Sequence, residues 1–386
     1  MPFVIYLLGL TIFSLTTAEF MVAGMMPALA VAFDVSVGQI GYLITYYALG
    51  MAIGGPLLTA LLLVLGTSNK QALFCLLLIY IASGVLAAVA GRYDVMAVAR
   101  IIMGISSSAC FGVALTICAS LVAPEKRGQA ASFVLGGLML APVFGVPATA
   151  LIEQYFGWRF SFWAIVVLAV LCAVIIAKRV PDMNESNSLS LKTELRSLYS
   201  RKLWAAYATS GLIIGAAFSA FSFFVPIFTE VTHFPTSAIP WLLVIYGVAN
   251  IIGNIFVGRF ADRYTIITLA MGLALLCLGL VIFAVYAQHR MISLGALVLI
   301  GLTGVALNPA MVARVMRAAT PGPLVNTMHS SVITAGLALG SWAGSYTIDA
   351  GLGLRSPLWV GVVLALLGLL TLIPYLRKKQ QCVAVV

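Results

Sequence analysis

Along the chain, apolar stretches long enough to cross a bilayer alternate with short breaks of charge, proline and glycine. Twelve helices are predicted, at about 3–27, 38–65, 71–90, 95–122, 129–155, 161–177, 203–229, 238–260, 266–287, 292–316, 324–348 and 357–376. At roughly 20 residues per crossing, twelve spans consume about 250 residues and leave only short loops. One long polar segment, 178–202, contains Pro181, Asp182, Asn184 and Glu185 and has six spans on either side. The expected organisation is therefore a six-helix bundle over 1–180, a cytoplasmic linker over 181–202, and a second six-helix bundle over 203–386 ending in a short basic tail. Within the linker, 189–199 has the pattern of a short amphipathic helix at the inner surface. The fold class is all-α, membrane-spanning, with two pseudo-symmetric halves around a central site.

Charge orients this arrangement. With the N-terminus inside, the inner loops hold Lys70, Lys126, Arg127, Lys178, Arg179, Lys192, Arg196, Arg201, Lys202, Arg259, Arg263, Arg314 and Arg317, and the tail adds Arg377, Lys378 and Lys379. The outer loops keep Arg92, Arg159, Arg290 and Arg355, one apiece where present. Because Lys and Arg accumulate in cytoplasmic loops, both termini are expected inside. The net charge of +10 is spread singly between apolar runs, which argues against a nucleic-acid-binding face.

Composition excludes other classes. Of 386 residues 62% are hydrophobic and 8% charged, and the mean hydropathy is +1.12. A soluble chain carries about a quarter charged residues, so this one cannot coat a water-soluble protein. A soluble enzyme, a secreted disulfide scaffold and a disordered chain are ruled out. Residues 1–27 lack a basic leader and carry Glu19 late in the apolar stretch, which predicts a retained first helix and no cleaved signal. Cys75, Cys110, Cys118, Cys172 and Cys277 lie in apolar segments without metal spacing, and read as small hydrophobes.

Two ionisable residues lie clearly inside predicted spans, Glu19 and Arg100. Each costs at least about 2.5–3.5 kcal/mol in hydrocarbon, so each is expected to face a cavity and to have a partner. Counting about 1.5 Å per residue from the outer ends of their helices, Glu19 lies ~12 Å deep and Arg100 ~8 Å deep, which predicts a direct or water-bridged pair. Burial and a neighbouring guanidinium act on a carboxyl in opposite senses, so its proton affinity can change as a cavity alternates. Glu19 is thus the candidate proton site and Arg100 its tuning partner, with a purely structural Arg100 as the other reading. Tyr246, Asn250 and Asn254 share one helix face and either line a cavity or tie that helix to its neighbours. Asn308-Pro309 marks a kink. His329 is either a second proton site or a hydrogen-bonded core residue. Phe20, Met21, Tyr46, Phe111, Phe144, Phe218 and Phe221 are candidates for an adaptable apolar pocket. The pairs Gly54-Gly55 and Gly136-Gly137, with Gly336 and Gly340, suit close helix packing. No phosphate-binding loop, zinc-protease motif or nucleophile–base set is present, so neither ATP hydrolysis nor another enzymatic reaction is expected, and no cofactor or metal.

Gly258-Arg259-Phe260-Ala261-Asp262-Arg263 has the spacing of the G-x-x-x-D-R loop of the major facilitator superfamily. In it the glycine would permit close helix approach, and Asp262 would cap a helix start or pair with Arg259 or Arg263. The corresponding first-half segment, 65–70, has no acid and one base. Arg100 with Gly104 matches the R-x-x-x-G pattern; Gly137, Pro142, Gly145 and Pro147 resemble the antiporter motif of the fifth helix, with Ala141 and Val146 in place of glycines. Gly157-Trp158-Arg159 with Phe162 resembles the start of the sixth helix, and Thr17-Ala18-Glu19-Phe20-Met21 resembles the first helix of the twelve-span drug–proton antiporter branch. Over essentially its whole length the chain resembles this branch, nearest its chloramphenicol-exporting members. The resemblance implies proton-coupled efflux of a small amphipathic molecule, phenicols first, by alternating access in a bacterial cytoplasmic (inner) membrane. It implies a monomer whose partners are its small-molecule substrate, protons and the lipid bilayer, with no nucleic acid. Exporters of sugars, purines or nucleosides, a passive facilitator, and a non-transporting membrane sensor are the competing expectations.

Overall fold

The computed structural model of the chain describes residues 2–64, 67–123, 126–180, 200–318 and 323–383. Most of the expected linker, with the amphipathic stretch 189–199, lies outside these residues, as do positions 65–66 of the first-half loop. Among the described residues every regular element is helical. Helices α1 (Phe3–Gly24), α2 (Met26–Phe33), α3 (Val37–Leu49), α4 (Gly55–Val64), α5 (Asn69–Ala88), α6 (Tyr93–Ser120), α7 (Arg127–Leu140), α8 (Val146–Phe156) and α9 (Trp158–Arg179) precede the undescribed segment. After it come α10 (Arg201–Phe221), α11 (Ile239–Tyr286), α12 (Arg290–Thr303), α13 (Asn308–Ala318), α14 (Pro323–Thr347) and α15 (Ser356–Val383). Ten helical segments among the described residues are long and apolar enough to cross a membrane.

Local chemistry sets the ends. The Ser36 side chain accepts from the Gln39 amide at 2.9 Å and the Gln39 side chain accepts from the Ser36 amide at 3.1 Å, a reciprocal cap that starts α3. Asp34, which closes α2, sits at φ 53°, a left-handed conformation its short polar side chain tolerates. Gly157, between α8 and α9, has φ 89°, which a Cβ would strain.

Several predicted spans are interrupted. Wide turns with π geometry join α3 to α4 at Gly50–Gly54 and α7 to α8 at Ala141–Gly145, the second containing Pro142, which has no N–H to donate. Between α12 and α13 the helix breaks at Gly304 and the single turn Val305–Leu307, just before Asn308-Pro309. The largest departure is in α11. Its 48 residues would measure about 70 Å at ~1.5 Å per residue. That is over twice the ~30 Å apolar core of a bilayer. The helix is interrupted at Tyr264 alone, with φ −127° and ψ 35°. The expected loop between the eighth and ninth helices is therefore a one-residue bend.

The chain forms two compact units, Met1–Asn187 with Thr236–Val244, and Ser188–Pro235 with Ile245–Val386. In the first, α1 packs against α7, α8 and α9, and α6 packs against α3 and α5. In the second, α10 is the buried centre, flanked by α14 and α15. Small residues set these contacts. A Cβ on Gly137 would strike the carbonyl oxygen of Gly9, and one on Gly145 would strike the Thr17 side chain, so the helix-five glycines let α7 and α8 lie directly on α1. In the second unit Gly336 and Gly340 meet the backbone of Gly211 and Gly215 in the same way. Gly136 and Gly258, by contrast, face open space. For Gly258 this corrects the expected role in helix approach: with α11 continuous through the motif, no second backbone comes near. Gly137→Ala is expected to destabilise by about 1–3 kcal/mol of overpacking, whereas Gly136→Ala, whose methyl meets nothing, is expected to be neutral or to stabilise by up to about 1 kcal/mol. Melting of the detergent-purified variants checks this, and equal effects at the two positions would refute the close-contact account.

Candidate functional site

Glu19 lies near the end of α1, 6% exposed, and Arg100 lies on α6 with no exposed surface. The two are brought together, but not as a carboxylate–guanidinium pair. Arg100 Nη1 donates to the carbonyl oxygen of Ala18 at 2.6 Å, Nη2 to that of Glu19 at 3.0 Å, and Nε to that of Leu43 at 3.3 Å. Its face covers the Tyr47 ring at 4.1 Å. Among the described residues the ion pair within 4.0 Å is Arg92–Asp94, at the surface. The expected direct pair is therefore corrected: backbone oxygens of α1 and α3 occupy the guanidinium fork and an aromatic ring occupies its face. Arg100 nonetheless holds the backbone of Glu19 itself.

The sequence folds this way because one turn of α6 carries both halves of the device. A Cβ at Gly104 would strike the Tyr47 carbonyl, so the glycine allows α6 to lie on the backbone of α3. Arg100, one turn earlier, then reaches past α3 to α1. Tyr47 adds a second tie, its hydroxyl donating to the Leu15 carbonyl at 3.2 Å. Leu15, Ala18 and Glu19 are spaced three and four residues apart, hence on one face of α1. That face is held by side chains from two other helices. On another side, Thr17 meets Gly145.

Around this tie is a buried polar cluster that sequence reasoning missed. Tyr47 and Tyr80 are fully buried. Ser107 is fully buried too. Tyr80 OH has no hydrogen-bond partner among the described residues, nor do the buried hydroxyls of Ser14 and Thr16 on α1. The available signal was helical spacing: Tyr47 lies one turn from Leu43, whose carbonyl also meets Arg100. The neighbouring Tyr46, chosen from sequence for the cavity, is half-buried and approaches Tyr42.

The other candidates divide between the units. Phe20 and Phe111 are half-buried in the first, while Phe144 is 60% exposed and does not line that unit's interior. In the second, Phe218 packs on Phe221 at 5.4 Å and Phe221 on Tyr246 at 5.0 Å. Tyr246 and Asn250 are buried one turn apart, and Tyr246 OH and Asn250 Oδ1 lack partners among the described residues. His329 is buried elsewhere in that unit, 2.9 Å from Ser210 Oγ and stacked on Tyr207 at 5.8 Å, as a hydrogen-bonded core residue.

Two expectations about charge change. Arg314, assigned from sequence to a loop, is 6% exposed and lies within a span. Its helix carries Arg314 and, one turn on, the exposed Arg317 in its last turn, which a count of loop charges cannot separate. In the 258–263 motif, Asp262 makes no described ion pair with Arg259 or Arg263. Its backbone oxygen accepts from Arg317 Nη2, and Arg263 stacks over Tyr264 at 5.2 Å. The bend at Tyr264 presents the carbonyl, and the arginines turn to it and to the ring.

With this geometry in place, comparisons with known proteins give a consistent family. The sequence profile described as Major Facilitator Superfamily matches over residues 8–328 and 241–381. The chain is 32% identical to the inner membrane transport protein YdhP of Escherichia coli (strain K12), over 98% of this chain and 97% of that one. It is 30% identical to a chloramphenicol resistance protein of Streptomyces lividans, over 97% and 96% respectively. The fold is similar to that of a bacterial homologue of the human lysosomal transporter Spinster, with a TM-score of 0.74, 17% identity and 96% of each chain covered.

The buried fork makes a prediction. Arg100→Lys keeps the charge, but one ammonium cannot span carbonyls on two helices, and it is expected to destabilise by about 2–4 kcal/mol. Arg100→Leu removes the charge along with its need for partners and is expected to cost about 1 kcal/mol or less. Melting curves in one detergent decide the order; a Leu variant weaker than the Lys variant would contradict it.

Proposed function

The chain belongs to the major facilitator superfamily, a family of membrane transporters and not of enzymes, and on that premise we propose that it is a proton-coupled exporter of a small amphipathic molecule, phenicols first. The observation that carries the proposal is the arrangement at Glu19. This is a carboxyl inside an apolar span, 6% exposed, beside a buried cation whose three nitrogens each donate to a backbone oxygen. Such a carboxyl is held near a positive charge without being locked to it. Its proton can therefore leave or return when its exposure changes. Substrate release and proton uptake then compete for conformations of the same helix, because the carbonyls that Arg100 grips belong to the residues flanking and bearing that carboxyl. Chloramphenicol-like substrates are proposed from the similarity to the Streptomyces lividans resistance protein and from the aromatic cluster of Phe218, Phe221 and Tyr246.

Twelve crossings follow if Ile239–Tyr286 is counted as two spans on either side of Tyr264 and Pro323–Thr347 is added to the other nine. The two halves would alternate by rocking, in a bacterial cytoplasmic membrane with both termini inside, as the basic residues favour.

The test is substrate-induced proton movement in proteoliposomes, screened over phenicols, purines and sugars. Wild type is expected to move protons outside-in on phenicol addition, and Glu19→Gln to abolish this while still binding phenicol. Undiminished proton-driven transport by Glu19→Gln would overturn the assignment.

A further inference from the structure

The second unit holds a pocket of about 280 Å³ at the Tyr264 bend. Arg263 and Arg317 stand at it, Tyr264 and Tyr375 wall it, and Ile266 and Leu376 give it an apolar side. Tyr375 is also the ring on which Arg314 rests, with the guanidinium carbon 4.9 Å from the ring centre. Arg314 is 6% exposed; its Nη1 donates to Thr209 Oγ1 at 2.5 Å, and its Nη2 has no hydrogen-bond partner among the described residues. Among those residues, no carboxylate lies within 4.0 Å of any of the three arginines. Arg317 is satisfied by a backbone oxygen, that of Asp262, and Arg263 by a ring face.

Two guanidinium groups, those of Arg263 and Arg317, thus stand at one pocket without a described counter-ion, and the buried Arg314 rests against Tyr375, one of its walls. The guanidinium fork matches the oxygens of a phosphate. The apolar side next to the cationic side suits the junction between a lipid headgroup and its chains. We propose that this pocket binds a phosphate group, and that its occupant is the headgroup of an anionic phospholipid. This is independent of the transport reading, since none of these residues belongs to the Glu19–Arg100 site.

Native mass spectrometry of the full-length protein in detergent tests the proposal, with phosphatidylglycerol, phosphatidylcholine of the same chains, and inorganic phosphate as probes. Wild type is expected to retain phosphatidylglycerol in preference to phosphatidylcholine. Removing an arginine near a headgroup costs about fivefold in affinity, so Arg263→Gln/Arg317→Gln is expected to lose about twentyfold. Lys178→Gln/Arg179→Gln, an equal loss of charge in the other unit, is expected to bind as wild type does. If the Gln pair fails to fold, Arg263→Lys/Arg317→Lys carries the test and should keep the preference. Inorganic phosphate that displaces the lipid would favour a soluble phosphate as occupant; failure to displace it favours the lipid, and either outcome supports a phosphate site. Wild type that does not distinguish the two lipids, equal loss in both Gln pairs, or a folded Lys pair without the preference would overturn the proposal.

Discussion

A positive charge with no surface exposure has to be solvated by the protein itself, and how Arg100 meets that demand organises the first unit. Its counterparts are not a carboxylate but carbonyl oxygens of α1 and α3 and the face of Tyr47. Carbonyls keep a second lone pair after accepting the helical hydrogen bond, so they can serve the guanidinium without unravelling the helix. The result is a three-helix knot in which α6 supplies the cation, α3 the ring and one oxygen, and α1 two oxygens. Because the oxygens on α1 belong to Ala18 and Glu19, a displacement of Glu19's backbone must disturb Arg100, and the reverse.

This knot depends on close approach of the helices. Gly104 on α6 and Gly50 on α3's continuation bring two backbones into contact, Gly137 does the same between helix five and α1, and Gly145 leaves room there for the Thr17 side chain. In an apolar solvent there is little hydrophobic gain in helix association, so van der Waals contact and interhelical hydrogen bonds must supply the specificity. The pairing of Arg100 with Gly104 is one physical unit: the glycine sets the distance at which the arginine can reach. Pro142 and the wide turn it occupies then redirect helix five so that both its ends touch α1.

The second unit solves its polar problem differently. Thr209 accepts from Arg314 and lies 2.5 Å from Thr371, Ser210 meets His329, and Ser222 meets Ser341, so neutral hydroxyls knit α10 to its flanking helices. Neutral hydrogen bonds hold a bundle without fixing a charge. This leaves Arg314 as a cation whose needs the described residues only partly meet. The two units are alike in helix content but not in chemistry, with the one buried acid among the described residues, Glu19, in the first.

The apolar pattern alone determined that the chain is a helical membrane protein, because nothing else can be made from so little charge. It also singled out Glu19 and Arg100, since an ionisable residue in a span is conspicuous in any sequence, and the family motifs were readable because they are local. What tertiary structure decided were the partners. Whether Arg100 finds a carboxylate or a carbonyl depends on a few ångströms of helix rotation, which spacing along one helix does not encode. Tyr47 rather than Tyr46 is buried because neighbouring residues on a helix point about 100° apart, and only packing against other helices chooses which of them faces inward; Arg314 and Arg317 share a helix face, and Arg317 is the exposed one because it stands in the last turn. The 258–263 motif shows the converse limit. Its residues were recognised, but their expected contacts presumed a loop, and the backbone there bends at a single residue instead.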